Sequence, residues 1–312
     1  MTSGRFMDLV EEYLKFRRGL GFDLRTPAWT LRSFARYADE LGLQGHVTGD
    51  IVVQWARSGC PDNPARATRR LTAVRGFIRY LAMLDPGTEI PPAGLLGPRP
   101  RRKPPHLYSD EEIAALLAQA RLLRPRGELR PVTYVTFFSL LVATGLRLSE
   151  ACRLLPGDVD LVDGVLNVRE SKFRKSRLVP LHPTATTALR RYAAQRDAYG
   201  PGRFFRTAQA AALSRAAVEK TFSRLRERLG WTAEGRARRP RIHDLRFTFA
   251  VRRLVCWSRE GVDVDRKMLA LATYLGHAKV TDTYWYLSAV PELMAITSER
   301  FERFAEPARR MS

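Results

Sequence analysis

A segment rich in proline and glycine divides the sequence. Residues 91–108 read PPAGLLGPRPRRKPPHLY, with six prolines, two glycines and four arginine or lysine residues. Proline has no backbone N–H and fixes its own φ angle, so such a stretch forms an extended linker more readily than a packed helix or strand. A chain of 312 residues is long enough for two domains with separate cores. We therefore predict a first domain at 1–95, a linker at 96–107 and a second domain at 108–312.

The first domain is predicted to be entirely helical. Apolar residues recur at helical spacing in three segments before residue 60 and in a longer segment after it. Thr48 is a candidate N-cap for the third of these helices. The fourth, ARATRRLTAVRGFIRYLAML, carries five arginines, and two interpretations of them stay open. They form a solvated helix face, or they form a surface that lies against DNA phosphates.

The second domain is predicted to combine helices with one small sheet. It opens with Ser109 and Glu112, which have the spacing of a capping box before an apolar helical run. The stretch YVTFFSLLVATGL is too short to cross a bilayer and is predicted to be a buried helix. Two β-type runs follow, VDLVDGVLNVRE with a hairpin turn at Asp163 and Gly164, and then RLVPL. The predicted fold class is therefore mainly α with a small antiparallel β-sheet (α+β).

The net charge is the unusual feature of the composition. The chain has 53 lysine and arginine residues against 32 aspartate and glutamate residues, which gives a net charge of +21. A field of this sign favours a polyanion such as DNA, RNA or an acidic membrane surface. A scattered basic surface that only confers solubility is the alternative.

The sequence also indicates the compartment. No apolar segment has the length of a membrane span or the pattern of a signal peptide, so we predict a nucleic acid and no membrane as partner. The three cysteines lie far apart and form no C-x-x-C pair, which argues against a disulfide framework or a zinc module. A reducing environment and a cytoplasmic protein are therefore expected.

Two motifs place basic residues where they can meet a phosphate. In ATGLRLSE, Arg147 falls beside the predicted start of a helix capped by Thr144, where backbone N–H groups favour an anion. An intrahelical pair with Glu150 is the alternative. In RESKFRKSRLVPL, the β-type runs bracket a basic turn whose charges either confer solubility or include a lysine that donates a proton in a groove. The tip of this turn carries Lys172, Arg174 and Lys175.

Two further motifs supply histidines. In RIHDLRFTFA, His243 and Arg246 are three residues apart and so share one face of a helix. A proton donor or acceptor beside a fixed guanidinium suits a phosphate oxyanion, and a capped, partly buried histidine is the alternative. In LGHAKVTDTYWYL, Gly276 indicates a tight turn that brings His277 close to another part of the protein.

The same stretch ends with two tyrosines, Tyr284 and Tyr286. Residues two apart on a helix point to nearly opposite sides, so at most one of them faces a given site. No H-x-x-x-H pair, carboxylate cluster or glycine-rich phosphate loop is present in the sequence. Phosphate chemistry would therefore use arginines as the electrostatic clamp and a side chain as the nucleophile.

In this order, the four motifs resemble the tyrosine recombinase (phage integrase) family, over about residues 105–295. K-F-R-K-S-R-L-V-P-L matches the family's K-G-x-K-x-R-x-V-P-L with Lys172 first. The family's nucleophile usually lies nine residues after the histidine of LGH, which points to Tyr286 and leaves Tyr284 as a packing or spacing residue. The catalytic residues that the resemblance implies are Arg147, Lys172, His243, Arg246, His277 and Tyr286.

The resemblance also implies an activity and partners. The implied enzyme is a site-specific recombinase or integrase of mobile DNA that works through a 3′-phosphotyrosyl intermediate and needs no cofactor. Its implied partner is double-stranded DNA with specific recombination sites. The helical first domain would clasp this DNA, and a homotetramer would hold two sites together. The apolar periodicity after Pro291 predicts a C-terminal helix. The resemblance implies that this helix is exchanged between protomers, and packing in the same chain is the alternative. Basic residues predicted to contact DNA are Arg99, Arg101, Arg102, Lys103, Arg174 and Lys175.

Two other functions remain as alternatives. A type IB topoisomerase-like enzyme would use the same chemistry to relax supercoils without a specific site. A non-catalytic architectural protein would bind DNA and keep the motifs as a relic. The helical first domain and the short chain favour a recombinase over a topoisomerase, and the complete set of chemically competent residues argues against a relic.

Overall fold

The computed structural model describes residues 4–22, 24–60, 63–97, 105–125, 129–169, 176–197, 202–207, 211–233 and 239–287. The chain forms two compact units, Met1–Arg102 and Lys103–Ser312. The predicted basic residues of the linker and of the hairpin tip lie outside the described residues, as does the C-terminal tail. These basic residues are Arg99, Arg101, Arg102, Lys103, Lys172, Arg174 and Lys175.

The first unit is helical in its described part, as predicted. Thr48 caps the third helix, because its Oγ1 accepts a hydrogen bond from the Ile51 N–H at 3.4 Å. Aromatic rings fill the core, where Phe34 and Trp55 meet edge-on with 5.2 Å between ring centroids. The helices are α1 (Arg5–Gly19), α2 (Arg25–Glu40), α3 (Gly49–Ser58) and α4 (Pro64–Leu84).

The second unit is mainly helical. Ser109 and Glu112 form the predicted capping box, with hydrogen bonds of 2.8 Å and 3.2 Å. The second of its helices is the predicted buried apolar one, in which Phe137 and Phe138 have no exposed surface. None of the described helices is both long and apolar enough to cross a membrane. The helices are α5 (Asp110–Arg121), α6 (Leu129–Thr144), α7 (Leu148–Arg153), α8 (Pro183–Asp197), α9 (Arg215–Arg228), α10 (Asp244–Arg259), α11 (Val264–Leu275) and α12 (Thr281–Tyr284).

The part of the chain between α7 and α8 forms a small antiparallel sheet. In the described residues its order is β1 (Val159–Asp160), β2 (Val165–Val168) and β3 (Arg177–Pro180). Gly164 adopts a φ of 66° in the predicted turn between β1 and β2, a conformation that glycine takes without strain. The register pairs Val168 of β2 with Arg177 of β3. The predicted fold class is confirmed.

The α10 helix is central to the second unit, because it packs against both α6 and α11. Leu245 lies in the core that includes α6, whereas Phe247 and Val251 lie in a second apolar cluster with residues of α11. Burial on two sides fixes the first turn of α10, where the His-x-x-Arg motif stands.

The predicted capping role of Thr144 is wrong. Thr144 ends α6, and its hydroxyl donates a hydrogen bond to the Leu140 carbonyl at 2.6 Å. Gly145 then takes a φ of 60°, which ends the helix, so α7 begins only at Leu148. The N-cap position of α7 is occupied by Arg147 itself.

Candidate active site

The guanidinium of Arg147 is held from two sides. Its Nη1 donates to Glu150 Oε1 at 2.7 Å, and its Nη2 donates to the Gly276 carbonyl at 2.7 Å. Glu150 also accepts a hydrogen bond from the Arg147 backbone N–H at 3.0 Å. The ion pair between Arg147 and Glu150, which the sequence offered as the alternative, is therefore observed. This pair also orients the Arg147 guanidinium so that it reaches the Gly276 carbonyl, in the turn that follows α11.

Glu150 joins two arginines inside the protein. Its side chain is 1% exposed and accepts hydrogen bonds from Arg147 and from Arg177, the latter at 2.9 Å and 3.1 Å. Burial works to raise the pKa of Glu150, but the hydrogen bonds and charges of Arg177 and Arg147 outweigh it and lower the pKa to about 2. Glu150 is therefore an ionised carboxylate at neutral pH.

Arg246 is almost completely buried in the first turn of α10. Its side chain donates to the Gly145 carbonyl at 2.8 Å and to the Leu275 carbonyl at 2.7 Å. Burial lowers the pKa of Arg246 to about 10, and the nearby Tyr286 hydroxyl opposes this shift. Since a pKa of about 10 is still well above neutral, Arg246 remains a charged guanidinium beside the tyrosine hydroxyl.

The two predicted histidines lie near these arginines and are neutral. Burial, followed by the charge of Arg246, lowers the pKa of His243 below its ordinary value. Burial, followed by the charges of Arg246 and Arg147, lowers the pKa of His277 to about 4. The Nδ1 of His277 lies 2.7 Å from Oγ1 of the buried Thr283, which orients the ring. At neutral pH both imidazoles can therefore accept a hydrogen bond or a proton.

The two tyrosines have different surroundings. Tyr284 ends α12 and is 44% exposed, whereas Tyr286 is 7% exposed. The Tyr286 ring packs against Phe247, with centroids 5.4 Å apart, and is nearly parallel to the His277 ring at 5.9 Å. The side chains separate as predicted, but the helix that was predicted to carry both ends at Tyr284, so Tyr286 lies in the following turn.

Five of the six residues predicted to be catalytic lie together. Lys172 falls outside the described residues, as do its neighbours Arg174 and Lys175. Arg177, which stands at the arginine of the K-x-R-x-V-P-L match but was not predicted to be catalytic, joins the cluster through Glu150. Its second partner, the Tyr274 carbonyl, is 97 residues away in the chain, so no local pattern could reveal it. The five clustered residues are Arg147, His243, Arg246, His277 and Tyr286.

The cluster carries a net positive charge. The guanidinium groups of Arg147 and Arg177 bind the carboxylate of Glu150, Arg246 adds a third positive charge, and both histidines are neutral. Such a site attracts an anion and stabilises negative charge that develops on it during a reaction. Within the described ranges, no group of three or more histidine, cysteine, aspartate and glutamate side chains is arranged to hold a metal ion.

The low pKa of His277 has a measurable consequence. We expect its C2–H signal in NMR spectra of the free protein to titrate at a pH of about 4, and not near 6.5, with His277→Asn as the control that assigns the signal. An unfolded chain binds a proton at this residue below a pH of about 6.5. His277 therefore lowers the free energy of unfolding as the pH falls from about 6.5 toward 4. A titration midpoint near pH 6.5 would contradict the buried, positively charged environment of His277.

Known proteins match the sequence along most of its length. The profile of the phage integrase family matches residues 108–292. A protein of Sinorhizobium fredii (strain NBRC 101917 / NGR234) that carries the name integrase/recombinase y4rB is 41% identical over 307 residues, which cover 96% of this chain and 97% of that protein.

Solved structures share the fold at lower identity. XerH site-specific recombinase bound to palindromic difH substrate, a post-cleavage complex, is 19% identical with a TM-score of 0.66, over 94% of this chain and 84% of that one. A lambda integrase tetramer bound to a Holliday junction is 18% identical with a TM-score of 0.65, over 89% of this chain and 76% of that one. With the profile match and the identity to y4rB, the conclusion is that this chain belongs to the phage integrase family, the tyrosine recombinases.

Proposed function

We propose that this protein is a site-specific recombinase that cuts and rejoins double-stranded DNA through a covalent bond between Tyr286 and a 3′ phosphate. The observation that carries the proposal is the position of the Tyr286 hydroxyl beside Arg246, in a buried cluster that also holds Arg147 and two neutral histidines. A nucleophile next to fixed guanidinium groups is the arrangement that phosphoryl transfer needs.

In the proposed cleavage step, the Tyr286 oxygen attacks the scissile phosphorus. A bond forms between phosphorus and the tyrosine oxygen, the bond from phosphorus to the 5′ oxygen breaks, and the tyrosine proton passes to a base. Arg147 and Arg246 hold the non-bridging oxygens as charge builds on them. His243 and His277 are unprotonated at neutral pH, so either can accept the proton or orient the phosphate.

The leaving 5′ oxygen requires a proton, for which Lys172 is the proposed donor. Rejoining reverses the step: a 5′ hydroxyl from a second duplex attacks the phosphotyrosyl bond and releases Tyr286. Because the bond energy is conserved in the protein–DNA link, strand exchange proceeds without ATP. The proposal includes no metal ion or other cofactor.

The remaining parts of the chain are proposed to hold the DNA. The helical domain at 1–95 clasps the duplex, the linker at 96–107 follows its backbone, and the catalytic domain comprises 108–312. The net charge of +21 supports a DNA-binding role, since lysine and arginine side chains that neutralise phosphates supply much of the affinity for DNA. We further propose that four protomers assemble on two specific sites in the cytoplasm and exchange their C-terminal helices. Of these points, the tetramer alone is supported by the fold similarity to a lambda integrase tetramer bound to a Holliday junction.

The proposal is tested with DNA that flanks the coding region and is expected to contain the sites. The probe is a labelled duplex with a nick close to the scissile phosphate, so that the short cleaved fragment is lost and the covalent product accumulates. We expect a product that resists detergent, disappears on protease treatment and leaves a free 5′ hydroxyl. Relaxation of a supercoiled plasmid without such sites would indicate the topoisomerase alternative. Binding with no covalent product on any flanking duplex would indicate the architectural one.

A further inference from the structure

Three consecutive backbone carbonyls at the C-terminal end of α11 each accept a hydrogen bond from a different arginine. The carbonyl of Tyr274 accepts a hydrogen bond from Nε of Arg177 at 2.7 Å. The next two carbonyls, those of Leu275 and Gly276, accept from Arg246 and Arg147, also at 2.7 Å each. The last carbonyls of a helix have no partner within the helix and carry its partial negative charge, so they stabilise cations. Here they fix two proposed catalytic arginines and one further arginine at neighbouring points.

The third arginine, Arg177, is buried and uses three of its five N–H groups to bind protein groups. Its side chain is 8% exposed, its Nε binds Tyr274, and its Nη1 and Nη2 bind the two oxygens of Glu150. Arg147 differs, because its side chain is 21% exposed and binds each of its two partners through a single N–H. Of this pair, Arg147 is therefore suited to contact a phosphate and Arg177 is suited to hold protein groups in place.

The backbone at the end of α11 is shaped around Arg177. Gly276 has a φ of 68°, and a Cβ atom added there would lie 2.7 Å from Nη1 of Arg177. A side chain at this position would be strained and would displace the guanidinium. His277 follows directly, so its position depends on the same turn.

Removing Arg177 would disturb both of its contacts. Glu150 would remain buried with Arg147 as its charged partner. Because a buried carboxylate needs its charge balanced, the Arg147 guanidinium would shift toward it. The Tyr274 carbonyl would also lose its hydrogen bond. We infer that Arg177 is a positioning residue for the recombination reaction, which holds Glu150 and the end of α11 so that Arg147 and Arg246 present their guanidinium groups to the phosphate. This inference rests on the proposed function.

The test measures the rate of covalent adduct formation in a single turnover at saturating protein. We expect Arg177→Met to slow this step by about 10²-fold, as for loss of a preorganised donor, and to change DNA affinity less than about threefold. Arg177→Lys keeps the charge and can bind one partner but not both, so we expect an intermediate rate. The matched control is Arg215→Met, which removes an exposed arginine paired with Glu219 and is expected to react within about twofold of wild type.

A double-mutant cycle separates positioning from general loss of structure. If Arg177 acts through Arg147, adding Arg177→Met to Arg147→Ala should slow the reaction less than about threefold further. A slowing of about 10²-fold in both backgrounds, or a wild-type rate for Arg177→Met, would overturn the inference. If thermal unfolding shows that Arg177→Met is not folded, Arg177→Lys decides, since a wild-type rate for it overturns the inference and a rate at least about fivefold lower supports it. Wild-type protein without any adduct would instead remove the proposed function, and the inference with it.

Discussion

Tyr286→Phe is expected to abolish covalent adduct formation and to leave DNA affinity within about threefold of wild type. The substitution removes only the hydroxyl, which is the attacking atom in the proposed reaction. The phenylalanine ring keeps the contact with Phe247 and the parallel arrangement with His277, so the surrounding packing is preserved. Adduct formation is measured on the nicked duplex by gel electrophoresis, and affinity is measured by fluorescence anisotropy on an intact duplex.

Tyr284→Phe is the matched control, because it makes the same chemical change two residues away. Tyr284 is partly exposed and ends α12, so it lies outside the buried cluster. This variant is expected to form the adduct at a rate within about twofold of wild type. If the Tyr284 variant were inactive and the Tyr286 variant active, the assignment of the nucleophile would be reversed.

Much of the fold could be predicted because its signals are local. The capping box of Ser109 and Glu112 spans four residues, and the turn at Gly164 needs a positive φ that glycine provides. The apolar period of each helix likewise depends on residues close in sequence. The Thr144 prediction failed for a related reason: the left-handed conformation of Gly145 ends α6, and the N-cap of the next helix is Arg147, three residues beyond Thr144.

Motif order predicted residues that lie together in the structure, but it did not predict the electrostatics of the cluster. Motif order singled out Arg147 and Arg246, and the structure places them at adjacent carbonyls of α11. The burial that keeps His277 neutral depends on α10, α11 and the final turn packing together, which no short window of sequence contains. Arg177 lies in the matched motif, but its role was not predicted, since its partners Glu150 and Tyr274 lie 27 and 97 residues away.

Arg246→Ala is expected to slow adduct formation by about 10²–10³-fold, the usual effect of losing one preorganised donor to a developing oxyanion. The Arg246 guanidinium is buried beside the Tyr286 hydroxyl, where water does not replace its charge effectively. Its removal also leaves the Gly145 and Leu275 carbonyls without this partner, at a cost of about 1–3 kcal/mol each in the free energy of unfolding. The rate must therefore be measured at a temperature where the variant is shown to be folded.

Arg246→Lys separates the catalytic effect from the structural one. Lysine keeps a positive charge but cannot bind two carbonyls and a phosphate oxygen in the fixed geometry of a guanidinium. We expect this variant to be more stable than Arg246→Ala in thermal unfolding and still slower than wild type by at least about tenfold. The control on the same helix is Arg259→Ala, an exposed residue at the end of α10, which is expected to react at a rate close to wild type. Wild-type cleavage by folded Arg246→Ala would show that the transferred phosphate does not depend on this guanidinium, and would leave Arg246 as a structural link between α6, α10 and α11.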